Sequence, residues 1–160
     1  MKLPTEDVIR NHQERLYATA FSICRNAADA EDVVQDTIVK YHQAKKSFES
    51  EEHIRAWLLR VCINLSKNIV SSFWNRNRRS WEDFAETLCF TEETDKRLFE
   101  TVMGLPEKYR IVIHLFYYEG YSVQEISKLL HRREGTVKSH LSRGRKILKL
   151  ELQEDWSDDE

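Results

Sequence analysis

Between Ile54 and Phe73, apolar side chains return at Ile54, Trp57, Leu58, Val61, Cys62, Leu65, Ile69 and Phe73. That spacing gathers them on one side of an α-helix for about five turns, whereas a strand would need alternation at every second residue. A helix this long with one apolar side must be covered by other elements. The preceding sequence supplies two. Val8, Ile9, Leu16, Ala20, Ile23 and Cys24 recur at helical spacing in a first segment, and Ala30, Val33, Val34, Thr37, Ile38 and Tyr41 in a second. Asn26 stands where an N-cap is needed, and the acids of "AADAEDVV" suit the positive end of the helix dipole. Ser50 opens the third helix with Glu51 and Glu52 behind it, and "AKKSFES" reads as the loop before it. The arginines of "NRNRRS" suit its C-terminal end. Three such helices can share one core.

Four Gly and two Pro in 160 residues leave few places where helix must break. Those few are informative. "SWEDFAETLCFTEET", Ser80 to Thr94, has no sustained period and reads as a linker. Gly104 and Pro106 separate "KRLFETVMGL" from "PEKYRIVIHLFYYEG", where Pro106 suits the first turn and Gly120 the C-terminal stop. Ser122 and Glu125 have capping-box spacing ahead of Ile126, Leu129 and Leu130. A last helix is expected from near Glu134. Val137, Leu141, Gly144 and Leu148 fall on one side of it, and Ser139, Ser142, Arg143 and Lys146 on the other. The expectation is an all-α chain with two small helical domains, residues 1–79 and 96–150. A flexible acidic linker, 80–95, joins them, and an acidic tail, 151–160, follows.

The formal charge of −2 conceals an uneven layout. Residues 96–150 carry twelve Lys/Arg against five Asp/Glu, a net of +7, while 82–95 and 151–160 each carry six acids and no base. A phosphate backbone responds to the local charge rather than to the sum. Short polar residues on the outward side of the last helix allow close approach to a major groove. Arginine there can bind guanine in two places, and lysine neutralises phosphate. Cys24, Cys62 and Cys89 make no CxxC, and Cys24 and Cys62 sit among apolar residues, so they read as small buried hydrophobes. No metal site, cofactor or enzymatic motif is expected: ligand spacing, a glycine-rich phosphate loop and a nucleophile motif are all missing. The longest apolar run is too short to cross a membrane, so no membrane insertion is expected. "MKLPTEDVIRNHQ" does not look like a signal peptide, and the expected location is the cytoplasm.

"LPEKYRIVIHLFYYEGYSVQEISKLLHRREGTVKSHLSRGRKIL" resembles region 4 of an extracytoplasmic-function (ECF) RNA polymerase sigma factor. "AADAEDVVQDTIVKYHQ" resembles region 2.2 of that family, and "RAWLLRVCINLSKNIV" its regions 2.3 to 2.4. The resemblance implies a transcription initiation factor that binds core polymerase through the β′ clamp and β flap, recognises −10 and −35 promoter elements, and assists melting. It implies Asp32, Gln35 and Asp36 as the docking residues. It implies Asn64 as the contact to a flipped −10 base, a role for which its amide can both donate and accept. Lys67, Arg76, Arg78 and Arg79 then hold −10 backbone phosphate. Ser139, Ser142 and Arg143 match the −35 reading positions, and Thr136, Lys138 and Lys146 are phosphate contacts. An anti-sigma partner is also implied, as is a connector role for the acidic linker. The sequence departs from the family in the turn: His131, Arg132 and Arg133 replace the usual Gly, apolar residue, and Ser or Pro. The alternative is a stand-alone helix-turn-helix regulator acting without polymerase.

Overall fold

A computed structural model describes the backbone of residues 1–73 and 93–156, and the side chains of 1–71 and 96–153. The chain divides into two compact units, Met1–Arg78 and Arg79–Glu160. The first unit holds α1 (Thr5–Cys24), α2 (Ala27–Gln43) and α3 (Glu51–Phe73). The second holds α4 (Glu93–Met103), α5 (Glu107–Ile113), a π-helical turn (His114–Tyr118), α6 (Val123–Leu130) and α7 (Glu134–Trp156). No strand occurs among the described residues.

In the first unit each helix packs on the other two. Val8, Leu16, Ala20 and Ile23 meet Ala30, Val33, Val34 and Tyr41, and Ile54, Leu58 and Cys62 complete the core. The buried arc of α3 is turned from the expected one. Leu59, Ile63 and Ser66 are buried, whereas Trp57, Val61 and Leu65 are half-buried on the flank. Residues on both flanks of α3 are apolar, so the pattern alone does not say which edge two covering helices will bury. Ser66 tolerates burial because its hydroxyl donates to the Cys62 carbonyl at 2.8 Å. Cys62 is buried as expected, and Cys24 is half-buried.

The caps follow the sequence. The Asn26 side chain accepts from Asp29 N at 2.9 Å, and Ser50 Oγ accepts from His53 N at 3.1 Å. The "AKKSFES" loop is anchored rather than loose. Phe48 is buried against Tyr41, His53 and Trp57, with ring centroids 5.7, 5.2 and 5.7 Å away. Its amide donates to the Met1 carbonyl at 2.7 Å, and Tyr41 OH donates to the Leu3 carbonyl at 2.7 Å.

In the second unit Pro106 is the N-cap of α5, one position earlier than expected, with ψ 144°. Buried Arg110 donates to the Leu105 carbonyl at 2.7 Å and so ties α5 to the turn before it. Beyond Ile113 the helix widens into the π-turn, which the sequence pattern does not reveal. Glu119 and Gly120 (φ 75°) then end it. The His114 ring stacks on Tyr118 at 5.0 Å, and its Nε2 lies 3.6 Å from buried Glu119 Oε1. Two boundaries differ from expectation. Helix α4 starts inside the segment read as linker, and α7 runs through Trp156 into the segment read as tail. No Gly or Pro interrupts α7 after Gly144, and half-buried Leu148 and Leu152 continue its spacing.

Candidate docking face and nucleic-acid interface

Burying Ala30, Val33, Val34, Thr37 and Tyr41 leaves the other side of α2 in solvent. Asp32, Gln35 and Asp36 are all exposed there, on adjoining helical positions. Val39 continues the face and is 49% exposed, an apolar side chain held among acids and an amide. The sequence reading passed over Val39, because a lone valine among polar residues carries no periodic signal. Beside Gln35 a groove of about 580 Å³ opens between α1 and α2, lined by Gln13, Glu14, Tyr17, Glu31, Val34 and Gln35. Burial, and then the Glu31 carboxylate, raise the Tyr17 phenol above its ordinary value, so the ring stays neutral there. An acidic rim around an apolar floor suits basic side chains with aliphatic stems. The α1 contribution to this groove also escaped the sequence reading, since Gln13 and Glu14 look like ordinary solvated residues.

On α3, Asn64 is exposed and Lys67 half-buried, one turn apart. Trp57, against which the loop's Phe48 packs, precedes Asn64 by two turns on the same side, about 10 Å along the axis. Lys45 and Lys46 of that loop are exposed, and the Lys46 ammonium stands 5.5 Å from the Phe48 ring centroid. Exposed ammonium groups thus lie beside the aromatic cluster, and the exposed Asn64 amide lies farther along the same side of α3. Arg76, Arg78, Arg79 and most of the 80–95 linker lie outside the described residues.

The third site is the α6–turn–α7 pair. Ser122 caps α6 reciprocally: Glu125 N donates to Ser122 Oγ and Ser122 N to Glu125 Oε1, each at 3.1 Å. His131 takes the left-handed conformation, φ 53° and ψ 46°, that a glycine would adopt more cheaply. Its strain is offset by the hydrogen bonds it allows. The Ser127 carbonyl accepts from the amides of His131 and Arg132, and Ser127 Oγ donates to the Arg132 carbonyl. The turn therefore closes despite its unusual residues.

Helix α7 buries Val137, Leu141 and Gly144. A Cβ at Gly144 would stand 3.1 Å from Ile113 Cγ1 and 3.4 Å from Tyr109 Cβ, so the missing side chain is what lets α5 and α7 approach. On the far side Lys138, Ser139, Ser142, Arg143 and Lys146 are exposed and Thr136 is half-buried. From Thr136 to Lys146 these six run about 15 Å along the axis, comparable to the width of a major groove. Arg145 sits apart from them: its guanidinium lies 5.3 and 5.4 Å from the Phe116 and Tyr117 rings, and Nε donates to Tyr117 OH.

Two family models match this chain in order, Sigma-70 region 2 over residues 8–80 and Sigma-70 region 4 over residues 96–148. The chain belongs to the sigma-70 family. Among its relatives, RNA polymerase sigma factor SigV of Bacillus subtilis is 27% identical over 150 residues, covering 90% of this chain and 88% of that protein. The ECF RNA polymerase sigma-E factor of Escherichia coli K12 is 28% identical over 144 residues, covering 79% and 75%. A solved structure of CnrH in complex with the cytosolic domain of CnrY matches with TM-score 0.68 and 26% identity, over 94% of this chain and 88% of that one. The sigma-70 match places α1–α3 in region 2 and α4–α7 in region 4. A chain built from both regions is a polymerase-associated initiation factor, and the stand-alone regulator finds no support. Among the described residues no helix is long and apolar enough to cross a membrane.

Proposed function

We propose that this ECF-type sigma factor works through three faces. Asp32, Gln35 and Asp36 dock α2 on the polymerase β′ clamp. Asn64 and Lys67 take the −10 element. On α7, Ser139, Ser142 and Arg143 read the −35 bases while Thr136, Lys138 and Lys146 hold phosphate. The observation that carries this reading is the complementary layout. The acidic face lies on the helix matched to region 2, and the outward basic face lies on the second helix of the region 4 turn. An acidic surface repels DNA and attracts basic protein, and a basic surface does the reverse. Arg76, Arg78 and Arg79 extend the −10 contact, and the acidic linker acts as connector toward the polymerase cleft. The solved CnrH complex concerns that protein's own partner. By likeness, an anti-sigma partner is part of the proposal here, as is a cytoplasmic location. The proposal includes no catalytic role.

The test is promoter binding with and without core polymerase, followed by run-off transcription. Specific retention of a −10/−35 duplex and a discrete transcript are expected only when core and this chain are both present. Sequence-specific binding of equal strength by the chain alone refutes the proposal.

A further inference from the structure

The turn residues that depart from the family pattern are joined to α7 by a polar contact. Ser127 holds the Arg132 backbone at both its amide and its carbonyl, and the Arg132 side chain is half-buried. Arg132 Nη1 lies 3.5 Å from His140 Nδ1. An arginine only donates, so the contact is a hydrogen bond when Nδ1 accepts, which is the neutral Nε2–H tautomer of the imidazole. The ring is half-buried and meets Tyr109 of α5 edge-on, centroids 5.5 Å apart at 71°. One side chain thereby connects the turn, α7 and α5.

Three cations act on His140: Arg132 from the turn, Lys108 from α5 and Arg143 from α7 itself. Burial first, and then these charges, hold its pKa below the ordinary histidine value. Thr136 and Arg143 sit four residues before and three after His140, on the same strip of α7. Any roll of α7 at His140 therefore moves both.

We propose that Arg132 and His140 are positioning residues for promoter reading: neutral His140 accepts from Arg132 and fixes the rotation of α7 that presents Thr136 and Arg143. The inference rests on the reading of α7 as the −35 reader. It adds residues that touch no base.

The test compares binding of the core-bound protein to a preferred and a scrambled −35 duplex. His140→Leu and Arg132→Leu are each expected to lower that preference on the order of tenfold, with the double variant no worse than either alone. His140→Asn places an acceptor where Nδ1 stood and is expected to keep the preference. Nitrogen NMR of the free protein is expected to show the Nε2–H tautomer, with a titration midpoint that rises in Arg132→Leu. Circular dichroism of each variant separates loss of reading from loss of fold. A wild-type protein with no −35 preference overturns the reading of α7 and this proposal together. A wild-type preference that survives in His140→Leu, or single losses that add in the double variant, overturns the proposal alone.

Discussion

Replacing Gly144 tests whether the close approach of α5 and α7 holds the reading helix in place. An added Cβ meets Ile113 Cγ1 at 3.1 Å, Ile113 Cδ1 at 3.3 Å and Tyr109 Cβ at 3.4 Å. Ile113 and Tyr109 are themselves buried, so neither can swing into solvent. For Gly144→Ala two effects oppose. Helix propensity favours alanine by about 1 kcal/mol, and overpacking costs about 1–3 kcal/mol. The expected net is a loss of about 0–2 kcal/mol. Gly144→Leu adds three more carbons into the same contact for little further propensity gain, and a loss of about 3 kcal/mol or more is expected. Urea unfolding followed by circular dichroism gives the order of the three proteins. Hydrogen exchange then shows where the loss falls: amide protection should drop on α5 and α7 while α1–α3 keep theirs. If Gly144→Leu unfolds at the wild-type midpoint with α5 and α7 protection intact, the close approach is not what fixes α7.

Asp36→Arg reverses one charge on an exposed face of α2, so polymerase pull-down should be lost while the helical spectrum is unchanged; undiminished pull-down removes Asp36 from the docking face. Arg143→Ala should cost about 1–3 kcal/mol on the preferred −35 sequence and relax the preference there, whereas Lys146→Ala should weaken all sequences alike and lower the salt slope by about one. Titration of both against matched and mismatched duplexes at several salt concentrations separates the two roles. His140 gives a pH dependence whose sign is fixed by its lowered pKa. The unfolded chain takes up the proton first, near the ordinary value of 6.5. The stability it contributes is therefore whole above that value and is lost as the pH falls through the lowered native one. His140→Asn should flatten that part of the thermal-stability profile, and an unaltered slope refutes the assignment.

The helices and most of their buried sides were legible because 3.6-residue periodicity reports which residues share a side. Caps at Asn26, Ser50 and Ser122 were legible because few side chains can serve there. Leu59 and Ile63 were missed because α3 is apolar on both flanks, and the choice of edge belongs to the tertiary packing. The π-turn at His114–Tyr118 leaves no mark on apolar spacing. The outward face of α7 was readable, since Gly144 and Leu141 locate the buried side by contrast. The Arg132–His140 contact was not, because it depends on a backbone turn that places residues eight apart in sequence against each other. The α1–α2 groove was hidden for a similar reason: its walls come from two helices, each of which looks solvated when read alone.

Under the proposed function this chain directs core polymerase to a promoter and helps to open it at the −10 element. Permanganate footprinting measures that opening directly, because only unstacked thymines react. Reactive thymines at the −10 element are expected with core and chain together and with neither alone. Asn64→Ala should weaken them at equal promoter occupancy. A promoter-bound complex of core and chain that leaves the −10 thymines unreactive under transcribing conditions would rule that function out.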